Sequence, residues 1–157
     1  MPSAKKRKTN TMEYVLKKFD ELTVHELYEI LKLRMAVFVV EQNCPYQDID
    51  DKDKHSHHLI CLQNDELAGY LRIVQKGISY EEVSIGRVIV APEFRNKGIA
   101  TKLLNHAIGF IADSLGETSI RISAQSHLQK LYGSVGFQPI GEEYLEDDIP
   151  HIEMVLE

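Results

Sequence analysis

The stretch Val88-Ile-Val-Ala-Pro-Glu-Phe-Arg95-Asn96-Lys97-Gly98-Ile99-Ala100-Thr101 carries the clearest chemistry in the 157-residue chain. An apolar run through Val88, Ile89 and Val90 stops at a proline, two cations follow, and a helical pattern starts at a glycine. The first turn of a helix leaves its N–H groups without partners and carries the positive end of the helix dipole. Gly98 and Ala100 let an anion approach that backbone, and Ile99 and Thr101 lie in the same turn. Arg95 and Lys97 add full charges, and Asn96 tolerates the left-handed conformation that a nest of N–H groups often needs. The chemistry expected is an anion cradle sized for a pyrophosphate. No G-x-x-x-x-G-K-S/T and no G-x-G-x-x-G occurs, so nucleoside triphosphate and nicotinamide chemistry lose support. An ordinary strand-to-helix turn with surface cations is the plain alternative.

Asp48, Asp50, Asp51 and Asp53 stand beside His55, His57 and His58 and invite a metal reading. The spacing lacks the glycine and distal glutamate of a calcium loop. No two of these histidines recur at i, i+4 on a helix as in a zinc protease. The expectation is therefore no metal site, and instead a solvated acidic loop or a contact to a substrate amine. A second cluster, Glu142, Glu143, Glu146, Asp147 and Asp148, attracts a cationic acceptor or simply keeps the surface soluble. His58, placed at the start of a strand facing a cleft, and His151, near the end of the second acidic stretch, titrate in the range useful to a general base.

These residues need a scaffold, and the periodicities supply one. Tyr14 to Phe19 reads as a strand. Thr23-Val-His-Glu26 is a capping box that opens a helix running to about Phe38. Asn43 to Lys54 reads as a loop. Strands are predicted over His57 to Leu62, Leu67 to Val74 and Glu82 to Val90, the first two joined by a tight turn at Asn64-Asp65. A helix carrying Ile99, Leu103, Leu104, Ala107, Phe110 and Ile111 follows Pro92, then a strand over Ser119 to Ser123. Ser126-His-Leu-Gln129 reads as a second capping box, opening a helix that Gly136 ends. Phe137 to Ile140 and His151 to Leu156 are closing strands across an acidic loop. The order β-α-β-β-β-α-β-α-β-β implies a mixed sheet with parallel pairing in its latter half.

Composition limits the function. Four cations, Lys5 to Lys8, sit in a polar opening segment expected to be disordered over residues 1–12. Without them a net charge of −6 becomes −10, so the domain over 13–157 repels phosphate and disfavours nucleic acid while tolerating a cationic substrate. The tail itself reads as solvated, the alternatives being an import signal or a tether to nucleic acid or a partner. The longest apolar run, Met35 to Val40, is too short to span a membrane, and no secretory pattern follows the basic start. Cys44 and Cys61 read as reduced thiols, and the expected location is the cytoplasm.

Arg95-x-x-Gly98-x-Ala100 after a Val-Ala-Pro strand end resembles the acetyl-CoA-binding motif of the GNAT N-acetyltransferase superfamily, Q/R-x-x-G-x-G/A. Many members carry glycine where this chain has Asn96. The resemblance extends over roughly residues 14–156. Phe38-Val-Val-Glu-Gln-Asn-Cys-Pro-Tyr-Gln-Asp-Ile-Asp and Ile149-Pro-His-Ile-Glu-Met look like the ElaA-like subgroup. It implies an α/β (α+β) GNAT fold, a mixed but mostly antiparallel central sheet of six or seven strands flanked by helices. It also implies direct transfer of an acetyl group from acetyl-CoA, as co-substrate, to a primary amine, either a small molecule or a protein amine. Tyr132, in Leu-Tyr-Gly-Ser-Val-Gly-Phe, falls where such proteins hold the general acid near the coenzyme sulfur. The main chain of Val88 to Val90 corresponds to the strand that receives the pantetheine arm. Glu41 lies in the loop that shapes the substrate side and joins His58 as a candidate base, with a water chain as the alternative. A non-catalytic acyl-CoA sensor or interaction module is the competing function. A homodimer is compatible with the resemblance but not decided by it.

Overall fold

The computed structural model describes residues 11–157, so the Lys5 to Lys8 patch lies outside the described residues. Strand β1 (Met12–Lys18) leads through a short 3-10 turn to helix α1 (Val24–Arg34), which continues as a π-helical segment, Met35–Glu41. Strands β2 (Ser56–Gln63), β3 (Glu66–Val74) and β4 (Ser84–Val90) precede helix α2 (Ile99–Asp113). Strand β5 (Ile120–Gln125), helix α3 (Gln129–Ser134) and strands β6 (Gln138–Glu146) and β7 (Ile149–Leu156) complete the chain. The predicted element order holds throughout.

The capping box at α1 forms as its sequence requires. The Glu26 N–H donates to Thr23 Oγ1 at 3.0 Å, and Glu26 Oε1 accepts from the Thr23 N–H at 2.8 Å. The helix then widens into a π-segment instead of ending near Phe38, a departure common at functional sites. The second box does not form. Ser126 to Leu128 make a 3-10 turn, α3 starts at Gln129, and Ser126 Oγ is buried without a partner. The closing acidic loop is also corrected. Residues 141–146 extend β6, and Asp147-Asp148, both with positive φ, turn the chain directly into β7.

The strands lie in two antiparallel sheets, β1-β2-β3-β4 and β5-β7-β6. The parallel pairing expected in the latter half is confined to one bridge, Val83 to Ile120. Beyond that bridge β4 and β5 diverge. The cause is local to β4: its register against β3 shifts between Tyr70 and Arg72, where Arg87 takes φ 53°. This bulge bends the strand away from its neighbour.

Helix α2 covers one face of the first sheet, burying Ile99, Leu103, Leu104, Ala107 and Ile111 against Leu59, Cys61, Ala68 and Leu71. Gly69 permits the close approach, since a Cβ there would meet Ile99 and Leu103 side-chain carbons at 3.0 Å. Helix α1 and the π-segment cover the other face with Ile30 and Val37 on Ile60, Tyr70 and Ile89.

The aspartate-rich loop is not a solvated one. Arg34, fully buried at the end of α1, donates from Nε to Asp48 at 2.9 Å and from Nη1 to Asp53 at 2.7 Å. Arg72 from β3 holds Asp50 with two bonds of 2.7 Å and reaches Asp53 at 3.1 Å. Arg87, at the bulge, donates to Asp48 at 2.8 Å. Three guanidinium groups and three carboxylates thus neutralise one another and clamp residues 43–55 to the sheet. Burial acts to raise the Asp50 pKa, but the bonds and charge of Arg72, with the charge of Arg87, outweigh it and hold it at about 2. A carboxylate with a depressed folded pKa stabilises the fold above its ordinary value of 3.8 and loses that contribution as pH falls through the folded value. Circular dichroism during acid titration should therefore show stability falling between pH 4 and 2. Asp50→Asn should flatten the slope in that window.

Candidate functional site

Where β4 and β5 part, a cavity of about 390 Å³ opens between the π-segment, β4, α3 and the β6–β7 hairpin. Phe38, Val88, Ser123, Gln125, Tyr132 and His151 line it. Beyond the cavity, the end of β4 offers main chain free of β3. The Ala91 N–H donates to the Ala68 carbonyl at 2.8 Å, so alternation along β4 directs Ile89 toward β3 and turns the polar groups of Val90 away. The Val90 carbonyl accordingly accepts from Arg95 Nε at 3.3 Å.

The cradle follows at once. Pro92 to Phe94 form a 3-10 turn, Asn96 and Gly98 have φ of 65° and 73°, and Gly98 caps α2 with no side chain bonded to the first N–H groups. Two left-handed residues flanking Lys97 aim successive N–H groups to one side. Ile99 is buried as the helix anchor, whereas Ala100 and Thr101 are half-buried beside the turn. Lys97 leans over the Phe94 ring, 5.5 Å from its centroid.

The structure therefore brings Arg95 to Thr101 together with the end of β4, and puts Val88 and Tyr132 in one cavity. Tyr132 is 8% exposed and meets the Phe137 ring edge-on, and burial pushes its hydroxyl up to about 12. It therefore stays protonated near neutrality.

Of the three candidate bases, His151 lines the cavity, whereas His58 and Glu41 do not. His58 is buried on the α1 side of the sheet, and it does not face the cavity. Its Nδ1 meets the Tyr70 hydroxyl at 2.7 Å and its Nε2 the Asp53 carbonyl at 2.9 Å. Burial lowers its pKa. Glu41 ends the π-segment and receives two bonds from Arg95, at 2.6 and 2.8 Å. Those bonds lower its carboxyl pKa further.

Sequence reasoning missed Arg87, which anchors the bulge, and the Ser123–Tyr144 hydroxyl contact beside the cavity. Gly86 inside an apolar strand is the available signal for the first. The second depends on cross-strand register and has no local signature. Among the described residues, no group of three or more histidine, cysteine, aspartate or glutamate side chains is arranged to hold a metal ion, and no helix is long and apolar enough to cross a membrane.

Residues 17–157 match the acetyltransferase (GNAT) domain, and the chain belongs to that family. It is an acyltransferase that uses an acyl-coenzyme A as co-substrate. Within the superfamily it falls in the ElaA-like subgroup. The protein ElaA of Escherichia coli is 45% identical over 139 residues, 87% of this chain and 91% of its own length. The crystal structure of ElaA superposes with a TM-score of 0.87 at 42% identity, covering 94% of this chain and 100% of the other. That of an acyl-CoA N-acyltransferase from Pseudomonas aeruginosa gives 0.88 at 40% identity, with the same coverage.

Proposed function

We propose that the protein transfers an acetyl group from acetyl-CoA to a primary amine by direct attack, without a metal, in the cytoplasm. The observation that carries this reading is the chain order of the site: β4, whose Val88 lines the cavity together with Tyr132, runs directly into the left-handed turn and helix start at Arg95 to Thr101. The N–H groups at the start of α2, with Arg95 and Lys97, suit the coenzyme diphosphate. The main chain of Val88 to Val90 suits the amides of the pantetheine arm, and Tyr132 stands where the thioester would end.

Burial of Tyr132 defines the kind of acid it is. Burial holds the Tyr132 phenol well above an alkyl thiol, so complete proton donation to the departing thiolate is unfavourable. Tyr132 therefore acts as a shuttle. It bonds the departing sulfur and passes on a proton as it receives one from the substrate nitrogen.

Glu41, held by Arg95 and with a lowered pKa, suits a latch on the cradle better than a base. Its carboxylate competes with the diphosphate for Arg95. Glu41→Gln should tighten coenzyme A binding roughly twofold to fivefold at low salt. Isothermal calorimetry checks this, and weaker binding would mean that Glu41 orients Arg95 toward the ligand.

The enzymatic reading is tested by offering purified protein acetyl-CoA and a panel of polyamines, lysine peptides, peptide N-termini and amino sugars, with release of free thiol as the readout. Coenzyme binding without turnover on any of them would favour a sensor module instead.

A further inference from the structure

We propose that His151, assisted by Glu146, is the general base that deprotonates the acceptor amine. The proposal rests on the N-acetyltransferase reading above and assigns its missing proton acceptor. His151 lies on β7, opposite Gln125 of β5 and Tyr144 of β6, and borders the same cavity as Tyr132. Its side chain is 9% exposed, so the ring is fixed by packing, with the Tyr144 ring stacked at 6.2 Å.

The two ring nitrogens are distinguished by their partners. Nδ1 is 2.7 Å from the Ile149 carbonyl, which can only accept, so Nδ1 carries a hydrogen. Nε2 is then the atom that gains and loses a proton. It lies 3.1 Å from a carboxylate oxygen of Glu146, whose side chain is 51% exposed. Glu146 stabilises the imidazolium once formed and opens a route for its proton to solvent.

The neighbouring charges leave this pair in control. From β7 itself, Glu153 is held by Arg121 of β5 at 3.0 Å. Across the cavity, Arg72 and Arg87 are countered by Asp48, Asp50 and Asp53. Lys52 and the turn residue Asp147 also line the cavity, with opposite charges. The hydroxyls of Tyr46, Tyr80, Tyr132 and Tyr144 and the thiol of Cys44 are all raised and stay protonated, chiefly through burial.

The protons balance as follows. When the half-exposed Glu146 side chain swings aside, the acceptor ammonium gives one proton to the lone pair of Nε2, directly or across one water, and the carboxylate then returns to pair with the imidazolium. The freed lone pair forms the C–N bond, the C–S bond breaks, and its electron pair leaves on sulfur. A second nitrogen proton reaches that sulfur through Tyr132. The proton on His151 departs through Glu146 to solvent.

The experiment compares wild type, His151→Asn and Glu146→Gln with acetyl-CoA and two probe amines, cadaverine and Nα-acetyl-lysine amide, over a range of pH. Asparagine keeps a donor for the Ile149 carbonyl, and unchanged coenzyme A affinity reports an intact fold. For His151→Asn the expected result is a kcat about 100-fold lower near neutrality, rising tenfold per pH unit as free amine accumulates. Glu146→Gln should lose several-fold in kcat at unchanged coenzyme A affinity. Turnover in His151→Asn within threefold of wild type, with the same pH profile, overturns the assignment and leaves the acetyltransferase reading intact. Coenzyme binding by wild type without turnover of either probe counts against that reading and against this proposal together.

Discussion

Tyr132→Phe should lower kcat about 100-fold while leaving coenzyme A affinity within twofold. The substitution removes one oxygen and keeps the ring that packs on Phe137, so the core around α3 persists. In the proposed mechanism what disappears is the bond to the sulfur as its charge develops, an interaction made in the transition state and absent from the ground state. Such losses appear in kcat and spare binding. A further consequence separates this role from packing. Replacing the acetyl thioester with one whose thiol leaves more readily should narrow the gap between wild type and variant, because an acidic thiol needs less help to depart. Equal turnover by the two proteins would remove the hydroxyl from the mechanism.

Arg34→Met should destabilise the fold by about 3–5 kcal/mol. The side chain is wholly buried, and its loss deprives Asp53 of its shortest partner and Asp48 of one of its two guanidinium partners in a poorly solvated place. Removing one member of a buried ionic set costs more than the set contributes, because an uncompensated charge remains. For a chain of this size the melting temperature should fall by roughly 10 °C. The urea midpoint should drop with little change in slope. Acidification should narrow the difference, since a protonated aspartate no longer needs the cation. A loss below 1 kcal/mol would mean that the loop is held by its other contacts. Catalysis should suffer too, because the same lattice anchors Arg87 and thereby the bulge that opens β4.

The two acidic segments mark the limit of what one-dimensional pattern reveals. Asp48, Asp50 and Asp53 look solvated because the loop lies in a polar, charged stretch with no periodicity. Their partners are Arg34, Arg72 and Arg87, distant in sequence and brought in by α1, β3 and β4. The stretch from Glu142 to Asp148 looks like a loop because β6 is an exposed edge strand, where polar residues replace the alternation of a half-buried one. The failed box at Ser126 is similar: a local hydrogen-bond option lost to the packing of α3.

The sequence by itself determined the order of elements, the tight turn at Asn64-Asp65, the first capping box and the left-handed turn that opens α2 after Arg95. Each is set by residues within a few positions of one another, through periodicity, left-handed conformers or helix-end chemistry. Only the tertiary structure decided that the strands split into two sheets, that Arg95 is latched by Glu41, that His58 is enclosed and that His151 meets Glu146 beside the cavity of Tyr132. Those outcomes depend on register and on contacts between distant segments, and no local preference encodes where a bulge will turn a strand away from its neighbour.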